Sequence, residues 1–229
     1  MHSYKLSACL VLLLAGLAQT QAQVPTDVTP DVTEDGLVRA PSSRKVGVYR
    51  APGVAFIKYK RVVFGHLEVK FRKSWERNAR NSDYLSSDHL TEAEIEKIRG
   101  DMAHSFRLEL FKELVDRGGY IVTDTPTADT LRVTASILNL AVTAPKAGEK
   151  QFEKTLIRSA GSMKLLIELH DGETGTIVGR IIEYYEAPEY LTPRLATKIT
   201  NDDDFRLGFA QAALHTREAL DVAVAERQP

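Results

Sequence analysis

Residues 90–119 predict a long amphipathic helix whose two ends are both marked in the sequence. Thr91–Glu94 has the form of a capping box, and Leu90 and Ile95 occupy the positions of a hydrophobic staple around it. Apolar residues then recur every three or four positions and form one stripe: Ile95, Ile98, Met102, Phe106, Leu110 and Leu114. Gly118–Gly119 end the helix. The rest of the chain must therefore cover one long helix face.

Segments in which apolar and polar residues alternate surround this helix and predict β-strands. They lie at 61–71, 120–123, 131–142, 162–170 and 176–186. The apolar phase of the third segment slips near Leu138, which predicts a bulge. Asp171–Gly175 has the composition and length of a hairpin loop, and residues 201–223 predict a second amphipathic helix.

The element order is therefore β-α-β-β-β-β-α, which predicts the α+β fold class. A mainly antiparallel sheet of four to five strands, with both helices packed on one face, is the economical way to bury these stripes. Apolar residues at 43% and charged residues at 27% are ordinary for a globular protein.

The N-terminus has the pattern of a secretory signal peptide. Lys5 precedes an apolar run at 6–17, and small residues lead to a cleavage point after Ala22, or after Ala18. The run is too short for a membrane span, which needs about 20 residues. Residues 23–45 are rich in Pro, Thr and Asp and predict a flexible linker. We expect a signal peptide at 1–22, the linker at 23–45 and a single α+β domain at 46–229.

Charge and cysteine content exclude several classes of partner. The formal net charge is −1, without the clustered basic residues that nucleic-acid binding needs. Cys9 is the only cysteine. Its surroundings resemble a lipoprotein cleavage box, but the apolar run follows Cys9 instead of preceding it, so lipidation is the less favoured alternative. A mature chain that begins after Ala22 has no cysteine for a disulfide or a thiolate ligand. We expect no metal and no cofactor.

Several motifs, taken in order and spacing, resemble the bacterial envelope family catalogued as domain of unknown function 3313. They are Tyr59–Val63, Leu90–Glu94, Gly119–Asp124, Ala128–Val133, Ala160–Met163 and Asp171–Gly175. The resemblance runs from about Lys58 to Ala223 and implies a secreted or outer-membrane lipoprotein with no assigned chemistry. It supplies no catalytic residue. The element order also looks like small periplasmic domains that bind other envelope proteins, an analogy that carries little weight on function.

The sheet face away from the helices is predicted to carry too many apolar groups for a solvated surface. They are Val62, Phe64, Leu138, Leu140, Leu166, Val178, Ile182 and Tyr184. An exposed apolar patch of this size usually marks an interaction site. The alternative is that the chain covers this face itself, with residues 46–57 or with the loop 187–199.

Few residues carry a catalytic pattern. His66 and Glu68 lie two apart on one predicted strand and could begin a metal site or an acid–base pair, but a solvated strand face that also carries Lys70 explains them better. Glu183 and Glu186 are three apart on a strand, and we expect them to point to opposite faces.

The sequence as a whole predicts an exported periplasmic protein, with possible association with the outer membrane. We expect it to be a non-catalytic binding or assembly protein that contacts another envelope protein through the outer sheet face. The alternative is a small periplasmic hydrolase or ligand-binding enzyme that uses His66 and Glu68.

Overall fold

A computed structural model of the chain describes residues 31–43, 45–81, 90–143, 156–157, 159–189, 194–195 and 198–226. Its strands are β1 (Val38–Ala40), β2 (Val46–Arg50), β3 (Arg61–Phe71), β4 (Ile121–Val122), β5 (Thr130–Val142), β6 (Leu156–Ile157), β7 (Gly161–Asp171), β8 (Ile177–Glu186) and β9 (Arg194–Leu195). Its helices are α1 (Lys73–Asn81), α2 (Glu92–Phe111) and α3 (Lys198–Ala225). A π-helical turn at Lys112–Arg117 prolongs α2. The predicted signal peptide 1–22 lies outside the described residues.

The fold class is α+β, as predicted, but the sheet is larger and more mixed than we expected. Seven strands run in the order β1-β2-β8-β7-β5-β3-β4. β3 pairs in parallel with both β4 and β5, whereas the other pairs in this sheet are antiparallel. The parallel pairs arise because the helical connection through α1 and α2 carries the chain back to the end where β3 began.

The two strands of this sheet that were not predicted, β1 and β2, lie together at one edge. β2 is too short for an alternating pattern to reveal it, and β1 lies inside the segment 23–45 that we expected to be a flexible linker. A backbone bridge joins Val32 to Val38 just before β1. The sheet therefore includes residues on the N-terminal side of residue 46.

α2 and α3 pack side by side on one face of the sheet, as predicted. Phe106 of α2 stacks on Phe209 of α3, with 5.0 Å between the ring centroids. Both rings belong to the hydrophobic core that lies between the helices and the sheet. The strands add Leu131, Val133, Ile137, Leu165, Ile167 and Ile181 to this core.

The predicted ends of α2 are confirmed. The Thr91 hydroxyl accepts a hydrogen bond from the Glu94 N–H at 3.3 Å, and the Glu94 carboxylate accepts one from the Thr91 N–H at 2.7 Å. Ile95 is completely buried. At the other end, Gly119 has a φ of +71°, in the left-handed region where a glycine commonly stops a helix.

α1 is a helix that the sequence pattern did not reveal. Its Trp75 stacks on Phe71 at a centroid distance of 4.5 Å and donates its indole N–H to the Val142 carbonyl at 2.6 Å. These contacts tie α1 to the ends of β3 and β5.

Candidate functional site: the outer face of the sheet

Four of the eight predicted residues lie on the face away from the helices, which we call the outer face. Leu166 of β7 and Ile182 of β8 are direct cross-strand partners there, and both are half-buried. Leu138 of β5 pairs with Lys164 of β7, which in turn pairs with the exposed Tyr184 of β8. We call Leu138, Leu166 and Ile182 the apolar strip.

The prediction is wrong for Val62 and Phe64, because β3 contains a bulge that the pattern did not show. The pairing of β3 with β5 shifts between Phe64 and Leu67. Residues before and after such a bulge change phase relative to a regular strand. Val62 is therefore fully buried in the helix-side core, and Phe64 packs on Phe111 of α2 with 6.0 Å between the ring centroids.

The prediction is also wrong for Leu140 and Val178. The slip in β5 occurs at Asn139, one residue after Leu138, and returns Leu140 to the core, where it is fully buried. In β8 the pairing with β7 shifts beside His170, and the extra residue Val178 turns to the helix side. Bulges thus decide which apolar side chains reach the outer face.

The chain covers one end of the outer face with a segment that we did not expect to do so. Arg180, a cross-strand partner of Glu168 on this face, donates hydrogen bonds to Glu168 Oε1 at 2.7 Å and to Asp35 Oδ2 at 2.6 Å. Tyr49 pairs with Arg180 and is only 1% exposed. Residues 33–37 therefore lie over this end, whereas residues 46–50 of the predicted cover 46–57 form β2 itself. The other predicted cover, 187–199, lies partly outside the described residues.

The Tyr49 hydroxyl is a buried polar atom without a hydrogen-bond partner in the described part of the chain. The ring lies against Gly47, where an added Cβ would come within 3.0 Å of Tyr49 Cε2. Gly47 is itself the cross-strand partner of Ile182. An unsatisfied hydroxyl therefore lies beside the apolar strip, and buried polar groups of this kind usually have a partner.

At the opposite end the outer face contains a concavity of about 470 Å³. Three cationic side chains and one acidic side chain line it: Lys45, Arg72, Lys164 and Glu186. The Lys164 ammonium lies 5.0 Å from the centroid of the Tyr184 ring, and Arg72 Nη2 donates to Ser162 Oγ at 2.9 Å. We call this concavity the cationic pocket.

Sequence reasoning missed the cationic pocket because its bases are far apart in the chain. Lys45, Arg72 and Lys164 come from the ends of β2, β3 and β7 and meet only in the folded sheet. A usable signal exists, since period two places Lys164 on the same face as Leu166. The strand order needed to bring the other two beside it cannot be read from periodicity.

The structure does not bring His66 and Glu68 together as a reactive pair. His66 is exposed at the β3 bulge. Glu68 forms an ion pair with Lys70 at 2.9 Å on the strand surface. In the described part of the chain, no group of three or more His, Cys, Asp or Glu side chains could hold a metal ion.

Glu183 and Glu186 point to opposite faces, as predicted. Glu186 is exposed at the cationic pocket, whereas Glu183 is buried on the helix side. There its Oε2 accepts a hydrogen bond from His215 Nδ1 of α3 at 2.8 Å. This bond raises the pKa of His215 above its ordinary value.

A third polar cluster holds the β7–β8 hairpin. Burial acts to raise the pKa of Asp171, but hydrogen bonds from Lys58 Nζ, the Thr174 N–H and the Tyr59 hydroxyl outweigh it and lower the pKa well below its usual range. Lys58 Nζ lies 2.7 Å and the Tyr59 hydroxyl 2.8 Å from Asp171 Oδ2. Burial raises the pKa of Tyr59 to about 12. Each member of this cluster is paired, and the cluster as a whole holds the hairpin in place.

Comparisons with known proteins leave the family open. No family model matches the chain, and no curated protein shows significant sequence similarity to it. The resemblance to domain of unknown function 3313 therefore stays a prediction. None of the helices in the described part of the chain has both the length and the apolar character that a membrane crossing requires.

The solved structures with a distant likeness include proteins from three bacteria. A PelC dodecamer from Paraburkholderia phytofirmans has a TM-score of 0.39 and 11% identity, covering 76% of this chain and 96% of that one. Protein XCC0632 from Xanthomonas campestris, of the family domain of unknown function 330, has a TM-score of 0.39 and 9% identity over 79% and 94%. A neuraminyllactose-binding hemagglutinin homolog from Helicobacter pylori has a TM-score of 0.34 and 15% identity over 74% and 87%. Likenesses this distant carry no argument about the function of this chain.

Proposed function

We propose that the protein is an exported, non-catalytic binding module of the bacterial envelope that contacts another envelope protein through its outer sheet face. The observation that carries this proposal is the apolar strip of Leu138, Leu166 and Ile182, which lies partly exposed in the middle of the sheet. Apolar groups in such a position favour a partner that removes them from water.

A protein surface fits this strip better than a lipid surface. Lys164 and Glu168 flank Leu166 on the same strand face, at positions i−2 and i+2. Burial of these charges in hydrocarbon would be costly, whereas a protein partner can offer hydrogen-bonding groups to them. The contact would be apolar at its centre and polar at its rim, which is the usual anatomy of a protein–protein interface.

We propose export because residues 1–22 have the pattern of a signal peptide. We propose a non-catalytic role because the acidic side chains of the polar clusters are already paired. Glu68 is held by Lys70, Asp171 by Lys58 and Tyr59, and Glu183 by His215. The alternative of a hydrolase based on His66 and Glu68 has no supporting contact between those two side chains.

Site-specific photo-crosslinking tests the proposal. A photoreactive amino acid at Leu166 or Ile182, in the full chain expressed in its own envelope, should crosslink one defined protein. The same amino acid at Leu207, an exposed position on α3, is the control and should not crosslink that protein. Purified partner should then bind the Leu166→Glu variant at least about tenfold more weakly, because a charge replaces an apolar contact at the centre of the interface.

Leu207→Glu supplies the matched substitution, since it adds the same charge on the opposite side of the molecule. Its affinity for the partner should equal that of the wild type. Equal crosslinking from both faces, or unchanged affinity in Leu166→Glu, would show that the outer face is not the contact surface.

A further inference from the structure

The cationic pocket contains more positive charge than its own residues neutralise. Lys45, Arg72 and Lys164 carry three positive charges, and Glu186 carries one negative charge, so the local balance is positive by two. Neither Lys45 nor Lys164 forms an ion pair with any residue that the structure describes. The protein as a whole has a formal net charge of −1, so this excess is local.

The three cations converge because of the strand register. Ser162 and Lys164 are two residues apart on β7, hence on one face and about 7 Å apart along the strand. Arg72 is fixed to Ser162, and Lys164 lies over Tyr184. The Tyr184 N–H donates to the Lys45 carbonyl at 3.4 Å, which places the start of β2 beside the same tyrosine. The charged groups therefore surround one shared concavity.

We propose that the cationic pocket is a binding site for a phosphate monoester, carried either by a small sugar phosphate or by a lipid headgroup. A phosphate monoester has a charge between about −1.5 and −2 at neutral pH, which matches the excess of two positive charges. A single carboxylate would leave one of these charges uncompensated. Arginine offers paired N–H donors to phosphate oxygens, and lysine adds point charges.

The pocket has room for more than the phosphate. Its volume of about 470 Å³ is in the range of small-molecule sites. Asn139 adds a side-chain amide to the lining, at the one non-glycine residue with positive φ in the described part of the chain. The amide and the exposed Tyr184 ring can contact the group that carries the phosphate.

This site adjoins the proposed protein contact on the outer face, because Lys164 lies two residues from Leu166 on the same strand face. Leu166 and Ile182 are not among the residues that line the pocket. Substitutions of Leu166 in the strip and of Arg72 in the pocket therefore test the two proposals separately.

NMR titration of the folded protein with inorganic phosphate, glucose 6-phosphate and glucose tests the site. We expect glucose 6-phosphate to shift the amide signals of Ser162, Lys164 and Tyr184 with a Kd on the order of 1 mM or tighter, and glucose to leave them in place. Lys164→Gln and Arg72→Gln should each weaken binding about tenfold, because each removes a charge-assisted hydrogen bond. Added salt should weaken binding in the wild type.

Lys70→Gln is the matched control, because Lys70 lies on the same face of β3 as Arg72 but is paired with Glu68. It should bind glucose 6-phosphate as the wild type does. Co-sedimentation with lipid vesicles distinguishes a lipid headgroup from a small sugar phosphate. It compares vesicles of phosphatidic acid in phosphatidylcholine with vesicles of phosphatidylcholine alone. Binding to phosphatidic acid that glucose 6-phosphate displaces and Lys164→Gln abolishes identifies the headgroup, and solution binding alone identifies the small molecule.

Either result supports the site, provided that the pocket variants lose binding and Lys70→Gln retains it. Phosphate binding that is equal in the wild type, Lys164→Gln and Arg72→Gln would overturn the proposal. So would the absence of any shift at Ser162 and Lys164 up to about 50 mM glucose 6-phosphate, a concentration far above the expected Kd. Circular dichroism of each variant verifies that the fold is intact.

Discussion

His215 of α3 and Glu183 of β8 form a hydrogen-bonded pair across the helix–sheet interface, with 2.8 Å between Nδ1 and Oε2. Glu183 is only 4% exposed, so its carboxylate relies on the imidazole for compensation. Glu218, on the same helix, also favours the protonated form of His215. The pair fixes the register of α3 on the sheet by a polar contact within a mostly apolar layer.

The pair makes stability depend on pH in a defined direction. Because the folded-state pKa of His215 is raised above 6.5, its contribution is fully present below pH 6.5 and is lost as the pH rises through the raised value. We expect the melting temperature of the wild type to fall by a few degrees from about pH 6 to about pH 9, and that of His215→Gln to fall less. Thermal denaturation at each pH measures this, and NMR titration of the imidazole gives its pKa. Parallel pH profiles for the two proteins would contradict it.

Glu113 joins α2 to α3 through a buried carboxylate. It is 2% exposed and accepts hydrogen bonds from Arg217 Nε, at 3.1 Å, and from Arg117 Nη1. Glu113→Ala should lower the free energy of unfolding by about 2 kcal/mol, because two charge-assisted hydrogen bonds are lost. Urea denaturation measures the change. Asp221→Ala removes an exposed pair with the same arginine and should cost no more than about 1 kcal/mol; equal losses in the two variants would mean that burial is unimportant here.

The sequence predicts those elements whose apolar pattern persists over several turns or alternations. α2, the β7–β8 hairpin and the amphipathic character of α3 could all be predicted, and in the structure Phe205, Phe209 and Leu220 form the buried face of α3. β4 was predicted at 120–123, and its observed span is Ile121–Val122. Short elements such as β1 and β2 could not be predicted, because three to five residues contain too few alternations to establish a period.

The outer face was predicted only in part, because one bulge reverses every assignment beyond it. Phe64 and Leu67 lie on the same side despite their odd spacing, as do Ile137 and Leu140. Alternation with a period of two cannot locate the extra residue of a bulge when the residues before and after it in the sequence are both apolar. The cationic pocket was missed for a different reason, since its residues become neighbours only through the order of the strands in the sheet.

The proposed export predicts a shortened mature chain. If the signal peptide at 1–22 is removed, protein recovered from the periplasm should begin at Gln23, or at Gln19 for the alternative cleavage after Ala18. Intact-mass and N-terminal analysis of fractionated cells measure this. Ala22→Lys should block the cleavage after Ala22, because signal peptidase requires a small residue before the cut. A full-length chain in the cytosol, or a lipid-modified chain beginning at Cys9, would contradict the prediction.

Asn139 controls which side chains of β5 face outward, and its backbone gives a sharp test of that role. Its φ of +52° lies in the left-handed region, which asparagine and glycine tolerate and β-branched residues do not. Asn139→Gly should leave stability nearly unchanged, whereas Asn139→Val should lower the free energy of unfolding by about 1–2 kcal/mol. Ser136→Val, on the regular part of the same strand, is the control and should have little effect. Urea denaturation compares the three variants. Deletion of Asn139 should still allow folding, because without the extra residue Leu138 and Leu140 become adjacent and regular alternation keeps Leu140 on the core side.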